Sequence, residues 1–267
     1  ALSSAASDVY KRQTGRYPAA IIPVHLYGMP ADMSRIMAIA SRYGIPVVED
    51  AAEALGSTYE DKFCGTFGKY GALSFNGNKI ITTSGGGALV CPDKESADRV
   101  KFLSTQAREN RPYYYHTTIG YNYRLSNVSA AIGCAQAEEL AQRVERRRTI
   151  HTIYTKLLAG NDAIRVHSEP SGKFKSNFWL STILLDPQKT GITPDELRIA
   201  LLERNIETRL IWRPMHMQPV FENCPFYGNG TGEDIFARGL CLPSGSSLTD
   251  GEVHEVADTI LEIIRNR

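Results

Sequence analysis

Two side chains in this sequence could do carbonyl chemistry together, Asp50 and Lys79. Lys79 follows the turn Asn76-Gly77-Asn78, between the apolar run 70–75 and a β-branched run, 80–83, that leads into three glycines, Gly85, Gly86 and Gly87. A lysine on a stiff turn between buried segments is partly desolvated and can act as a nucleophilic amine. Taken alone, Lys79 also reads as a surface lysine on a hairpin. Asp50 closes the run Ile45-Pro-Val-Val-Glu-Asp50, at the carboxyl end of a strand, where open α/β sheets bind ligands. Taken alone, it reads equally well as the cap of a following turn. The small residues Ala51, Ala52 and Ala54 come next and leave room for a flat ring. A lysine able to form a Schiff base, with a carboxylate facing a pyridine nitrogen, is the minimum protein equipment for pyridoxal phosphate. The carboxylate would keep the ring nitrogen protonated. The lysine would hold the cofactor and move a proton between substrate and cofactor carbons.

The elements that must position this pair follow from periodicity and punctuation. Residues 19–25 form an apolar run that reads as a buried strand, although Pro23 marks it as an edge. Asp32 caps a helix whose apolar face is Met33, Ile36, Met37, Ile39 and Ala40, and Gly44 stops it. Strand 45–50 follows at once, so the three make a βαβ unit with a parallel sheet and a right-handed crossover. Strands at 70–75 and 88–91, a helix at 94–106 and a tyrosine-dense loop at 111–123 come next. Ser126 then caps a long helix to about residue 158, with Val128, Ile132, Ala135, Leu140 and Val144 as its core face. The run Glu145-Arg-Arg-Arg148 within it reads as a solvated face. Gly160-Asn161-Asp162 marks a domain boundary. Beyond it lie a strand at 177–186, a helix opened by the capping box Thr193-Pro-Asp-Glu196, a strand at 206–212 and a last helix from Thr249. The expected organisation is a tail over residues 1–13, a large α/β domain over 14–159 and a small α+β domain over 160–267.

Composition narrows the function classes. The 267-residue chain is 42% apolar with a net charge of +1, so no basic footprint argues for nucleic acid. No run reaches the ~18 consecutive apolar residues of a membrane span. Residues 1–13 lack the charged head and apolar core of a signal peptide. Cys64, Cys91, Cys134, Cys224 and Cys241 are scattered, as are the histidines, so no metal-ligand spacing arises. Free thiols in a reducing cytoplasm fit better. The glycine triplet lacks phosphate-loop spacing and reads as close backbone packing behind Lys79.

Five motifs together resemble the DegT/DnrJ/EryC/StrS sugar aminotransferases, which are fold-type I pyridoxal phosphate enzymes. They are Pro23-Val-His-Leu-Tyr-Gly28, Glu49-Asp-Ala-Ala-Glu-Ala-Leu-Gly56, Gly65-Thr-Phe-Gly68, Asn78-Lys79 and Gly120-Tyr-Asn-Tyr-Arg-Leu125. The resemblance runs in order from about residue 14 to the C terminus. It implies a large domain with a mainly parallel sheet and a small α+β domain. It further implies that Lys79 carries the cofactor and acts as acid and base, that Asp50 pairs with the pyridine nitrogen, that Ala52 lies against the ring and that Glu53 reaches the ring hydroxyl. Ser74 would bind the cofactor phosphate, and Asn122 would reach the phosphate of a neighbouring subunit, since family sites are shared across a homodimer. His116, Arg124, Arg213 and His216 would help to bind a nucleotide sugar. His25 lines the site or is a buried, satisfied histidine.

Further phrases resemble the branch of the family that serves bacillosamine synthesis. They include Ser104-Thr-Gln-Ala-Arg-Glu-Asn110, Trp179-Leu-Ser-Thr182, Ile206-Glu-Thr-Arg209 and Leu242-Pro-Ser-Gly245. That branch transfers an amino group from glutamate to a UDP-linked 4-keto-6-deoxy-N-acetylglucosamine. The related sugar dehydratases have a histidine where Lys79 stands, which counts against them. Family members carry a further segment ahead of this region, with a phosphate-binding turn and an aromatic that stacks on the cofactor. The expectation is therefore an incomplete large domain, and an inactive remnant is the reading from a different class.

Overall fold

The computed structural model describes residues 15–267, and the expected tail over residues 1–13 lies outside them. The chain divides into two compact units, one running through Gln142 and including Lys173–Ser176, the other made of Arg143–Gly172 and Asn177–Arg267.

The first unit is built on a parallel pair. Helix α1 (Met33–Tyr43) starts where the Asp32 carboxylate accepts the Arg35 amide at 3.2 Å, and it ends at Gly44, whose φ of 63° is the left-handed conformation a helix C-terminus favours. Strand β1 (Val48–Asp50) pairs in parallel with β4 (Tyr70–Ser74), with Asp50 opposite Ala72. Strand β5 (Gly87–Val90) adds to β4 antiparallel. The segment expected as a strand at 19–25 is instead two isolated parallel bridges, Ile21 to Val47 and Val24 to Asp50. Pro23 lies between them and has no amide to continue the ladder. A small sheet that the sequence did not suggest joins β2 (Thr58–Tyr59), β3 (Lys62–Phe63) and β7 (Phe174–Lys175). Residues 80–83 lie between β4 and β5 as loop and form no strand, with Ile80 and Ile81 buried.

Helix α2 (Lys94–Ser104) is followed by the tyrosine loop and by α3 (Asn127–Glu138), capped by Ser126 as expected. The long helix breaks at Glu139, where an amide bonded to the Gln136 carbonyl tightens the last turn. It resumes as α4 (Leu140–Leu158). The expected core face of α3 is not covered, since Val128 and Ile132 are exposed.

The second unit is an antiparallel sheet with order β6 (Ile164–Val166), β8 (Ser181–Leu185), β10 (Gly239–Leu242) and β9 (Arg209–Leu210). Helices α4, α5 (Pro194–Leu202) and α6 (Asp250–Arg265) bury Ile150, Tyr154, Leu197, Leu201, Val253 and Ile260 in one core with Ile183 and Leu240. That burial carries α4 into this unit, so the division falls ahead of residue 160. The expected capping box of Thr193 with Glu196 is formed, and the last helix opens on a second one, Thr249 with Glu252. Strand β8 starts later than expected because Phe178 sits at φ 44° and Asn177 bonds back to the Trp179 amide. The strand expected at 206–212 shortens to β9.

The arginine run is not a solvated face. Arg146 bonds Asp250 and the Leu248 carbonyl, Arg148 pairs with Glu169 at 2.6 Å, and Arg147 is buried and donates to the Trp179 carbonyl. These bonds tie α4 to its own unit.

Candidate active site

The C-terminal ends of β1 and β4 are neighbours, because the two strands are parallel and in register. This is the edge at which an open α/β sheet binds a ligand. Asp50 ends β1. One of its carboxylate oxygens accepts the Ala52 amide at 3.1 Å, and the other has no hydrogen-bond partner among the described residues. Beside it Ala51 and Ala54 are fully buried and pack with Cys64 and Leu73. Burial pushes the Cys64 thiol up to about 12, so it is no nucleophile at neutral pH. Ser74 ends β4, and its hydroxyl accepts the Asn76 amide at 3.3 Å.

Lys79 lies in the loop that joins β4 to β5. Its amide closes a turn on the Asn76 carbonyl at 3.0 Å. The loop folds back on itself, with the Phe75 amide on the Gly86 carbonyl and the Thr83 amide on the Phe75 carbonyl, both at 2.9 Å. The Lys79 ammonium stands 3.6 Å from the Glu53 carboxylate, and only about an eighth of each side chain is exposed (13% and 12%). Gly86 and Gly87 are needed by packing, whereas a Cβ at Gly85 would meet nothing within 4 Å. A Cβ at Gly87 would meet the Leu73 carbonyl oxygen at 2.2 Å, and one at Gly86 would meet Leu125 at 2.7 Å.

That last approach sets the tyrosine loop against the glycine turn. The loop is held to the end of α2 by the Tyr121 amide on Leu103 and the Tyr123 and Arg124 amides on Ser104. Asn122 bridges Thr105, and the His116 ring meets the Gln106 carbonyl at 3.0 Å. His116, Asn122 and Arg124 are all exposed. Asp50, Ala52, Glu53, Ser74 and Lys79 are thus brought together at one sheet edge, with Asn122, Arg124 and His116 on a loop of the same unit. Arg213 and His216 belong to the other unit. Arg213 is exposed there. The His216 ring stacks on Phe226 and meets Glu233 at 2.9 Å.

His25 is fully buried and satisfied, the second of its two readings. Its partner, Glu49, carried no role in the sequence reading. Glu49 accepts four bonds, from His25 Nε2 at 3.0 Å, Gly65 at 2.7 Å, and Phe67 and Gly68 at 2.6 Å each. Burial alone would raise its pKa. The bonds from His25, Gly68 and Gly65 outweigh it and hold the carboxyl below its ordinary value. The signal available in the sequence was an acid inside an otherwise apolar strand, which needs partners once buried.

A family model for DegT/DnrJ/EryC1/StrS aminotransferases matches residues 3–261. The chain is 47% identical to EpsN of Bacillus subtilis strain 168, a protein named for pyridoxal phosphate-dependent amino transfer, over 94% of this chain and 65% of that one. It is 38% identical to the GDP-perosamine synthase of Escherichia coli O157:H7, over 98% of this chain and 70% of that one. The crystal structure of the aminotransferase TlmJ from Streptoalloteichus hindustanus matches with a TM-score of 0.87 at 27% identity, covering 97% of this chain and 70% of that one. The chain spans about two thirds of the length of these relatives. It belongs to the DegT/DnrJ/EryC1/StrS aminotransferase family.

Pyridoxal phosphate is the cofactor of this family, and the first unit has residues that fit it. Asp50 offers an open carboxylate oxygen for a ring nitrogen, Lys79 offers an amine largely shielded from water, and the alanines between them add no bulk.

Proposed function

We propose that this member of the family takes part in moving an amino group from glutamate to the keto carbon of a 4-keto-6-deoxy nucleotide sugar. The observation that supports the reading is the Lys79 ammonium beside Glu53, three residues after Asp50, at the C-terminal edge of β1 and β4 in a chain of this family. When bound, pyridoxal phosphate supplies an aldehyde for the amine and an electron sink for the carbanion formed beside it. Asp50 holds a proton on the ring nitrogen by presenting a negative charge to it. Lys79 holds the cofactor, and its Nζ then carries the proton between carbon atoms. Glu53 orients the ammonium and reaches the ring hydroxyl, Ala52 lies against the ring, and Ser74 donates to the phosphate.

The phrases shared with the bacillosamine branch favour a UDP-linked 4-keto-6-deoxy-N-acetylglucosamine as acceptor. The relation to a GDP-perosamine synthase favours a GDP-linked ketosugar instead. Asn122, His116, Arg124, Arg213 and His216 are proposed to serve the phosphates and the nucleotide sugar, with Asn122 reaching a second subunit. A homodimer with shared sites is consistent with the exposed Ile119, Tyr123 and Val128 on the tyrosine loop and α3. Among the described residues no helix is long and apolar enough to cross a membrane, and all five cysteines are free, which suits a reducing cytoplasm. The test is amino transfer from glutamate to a panel of UDP- and GDP-linked 4-ketosugars, with cofactor binding followed by visible absorption. Lys79→Ala is expected to remove both the absorption and the transfer, and retention of both would end the proposal.

A further inference from the structure

His25 and Glu49 make a fully buried pair behind the site, on the opposite side of β1 from Asp50, and neither touches a reacting group. The tautomer of His25 follows from its partners. The Ala31 amide can only donate, and it lies 3.0 Å from Nδ1, so Nδ1 accepts and the ring proton sits on Nε2. That proton is donated to Glu49 at 3.0 Å. The imidazole is therefore a neutral bridge between β1 and residue 31, with both nitrogens used.

Between these two anchors the chain makes a short turn, Leu26–Gly28, in which Tyr27 takes a φ of 56°. Tyrosine rarely adopts that left-handed conformation, so the surrounding contacts must hold it. The turn is closed by the Gly28 amide on the His25 carbonyl at 3.2 Å and pinned by the Ser57 hydroxyl on the Gly28 carbonyl at 2.7 Å. Its product is one aimed donor. The Tyr27 amide points at Glu53 Oε2 at 2.7 Å, while Glu53 Oε1 faces the Lys79 ammonium at 3.6 Å. The strained turn thus presents an amide to one oxygen of the carboxylate whose other oxygen meets the lysine.

We propose that the His25–Glu49 pair is a positioning device for the lysine. It holds the 25–31 loop so that the Tyr27 amide fixes Glu53, and Glu53 in turn sets where the Lys79 amine rests for the cofactor. The cofactor side of this statement rests on the proposed function, whereas the hold on the Tyr27 amide does not. A buried pair that served only to stabilise the domain would leave the Tyr27 amide and the lysine no more affected than any other group of the unit.

The test compares this chain with its His25→Asn and Glu49→Gln variants by amide hydrogen exchange without cofactor and by titration with pyridoxal phosphate. In the variants the Tyr27 and Ala31 amides are expected to exchange at least tenfold faster, while the amides of α1 keep their protection. The cofactor dissociation constant is expected to rise at least fivefold. Unchanged Tyr27 exchange in a variant whose α1 stays protected overturns the proposal, as does faster exchange with unchanged cofactor affinity. Unfolding of both variants also overturns it, because the pair then holds the domain and not the loop. If the unaltered chain takes up no cofactor, the proposed function falls at that point, and the exchange comparison alone decides whether the pair holds the turn.

Discussion

The His151 imidazole makes the second unit sensitive to acid in a way that can be worked out from its surroundings. The ring is buried in α4, stacked 3.6 Å from the Phe178 ring at an angle of 7°. Among the described residues its Nδ1 has no hydrogen-bond partner, and its Nε2 meets only the Thr155 hydroxyl at 3.4 Å. Burial, helped by the nearby His167 and Arg148 and opposed by Glu169, pushes its pKa down to about 4 from an ordinary 6.5. The unfolded chain therefore takes up a proton that the folded chain resists. Stability is fully present above pH 6.5 and is lost as the pH falls towards 4. At about 1.4 kcal/mol per pKa unit the whole loss is ~3 kcal/mol, of which about 2 kcal/mol falls between pH 7 and pH 5. The assay is urea denaturation of the chain and of His151→Leu at those two pH values. Leucine fills the space, gives up the ring stack and removes a buried nitrogen without a partner, so at pH 7 the variant should lie within about 1 kcal/mol of the original. Its loss on going to pH 5 should be smaller by about 2 kcal/mol. Other groups titrate in both chains and cancel in the difference. Parallel losses in the two chains would refute the reasoning.

Gly71→Ala should destabilise the first unit by at least about 2 kcal/mol in the same assay. A Cβ there would stand 2.0 Å from the Gly65 carbonyl oxygen, a backbone atom held by the turn that Glu49 ties down. Arg147→Met should leave the second unit equally stable or raise its melting temperature. The guanidinium is buried with an Nε that has no partner among the described residues, it donates to the Trp179 carbonyl, and burial with the neighbouring Arg143 pushes it down to about 10. Replacing such a charge by an apolar chain of similar length is often neutral or stabilising. A fall of more than about 2 kcal/mol would mean that the bond to Trp179 outweighs the cost of burial.

What was legible in the sequence is what local chemistry decides. Asp50 and Lys79 could be placed because a strand end and a turn are properties of five or six neighbouring residues. The caps at Asp32, Ser126, Thr193 and Thr249 were readable for the same reason. The failures share the opposite property. Glu145-Arg-Arg-Arg148 has the same composition whether it faces water or a carbonyl 32 positions away, and only the fold brings Trp179 to Arg147. Glu49 reads as the companion of Asp50 until its partners at 25, 65, 67 and 68 close around it. Val128 and Ile132 show the limit from the other side. Their spacing puts them on one side of α3 and suggested a core face, but periodicity carries no information about what lies against that side, and in this chain it meets solvent. The same reasoning bears on the site. The same residues that local pattern singled out sit together at one edge of the first unit, whereas those proposed for the nucleotide sugar are exposed or lie in the other unit.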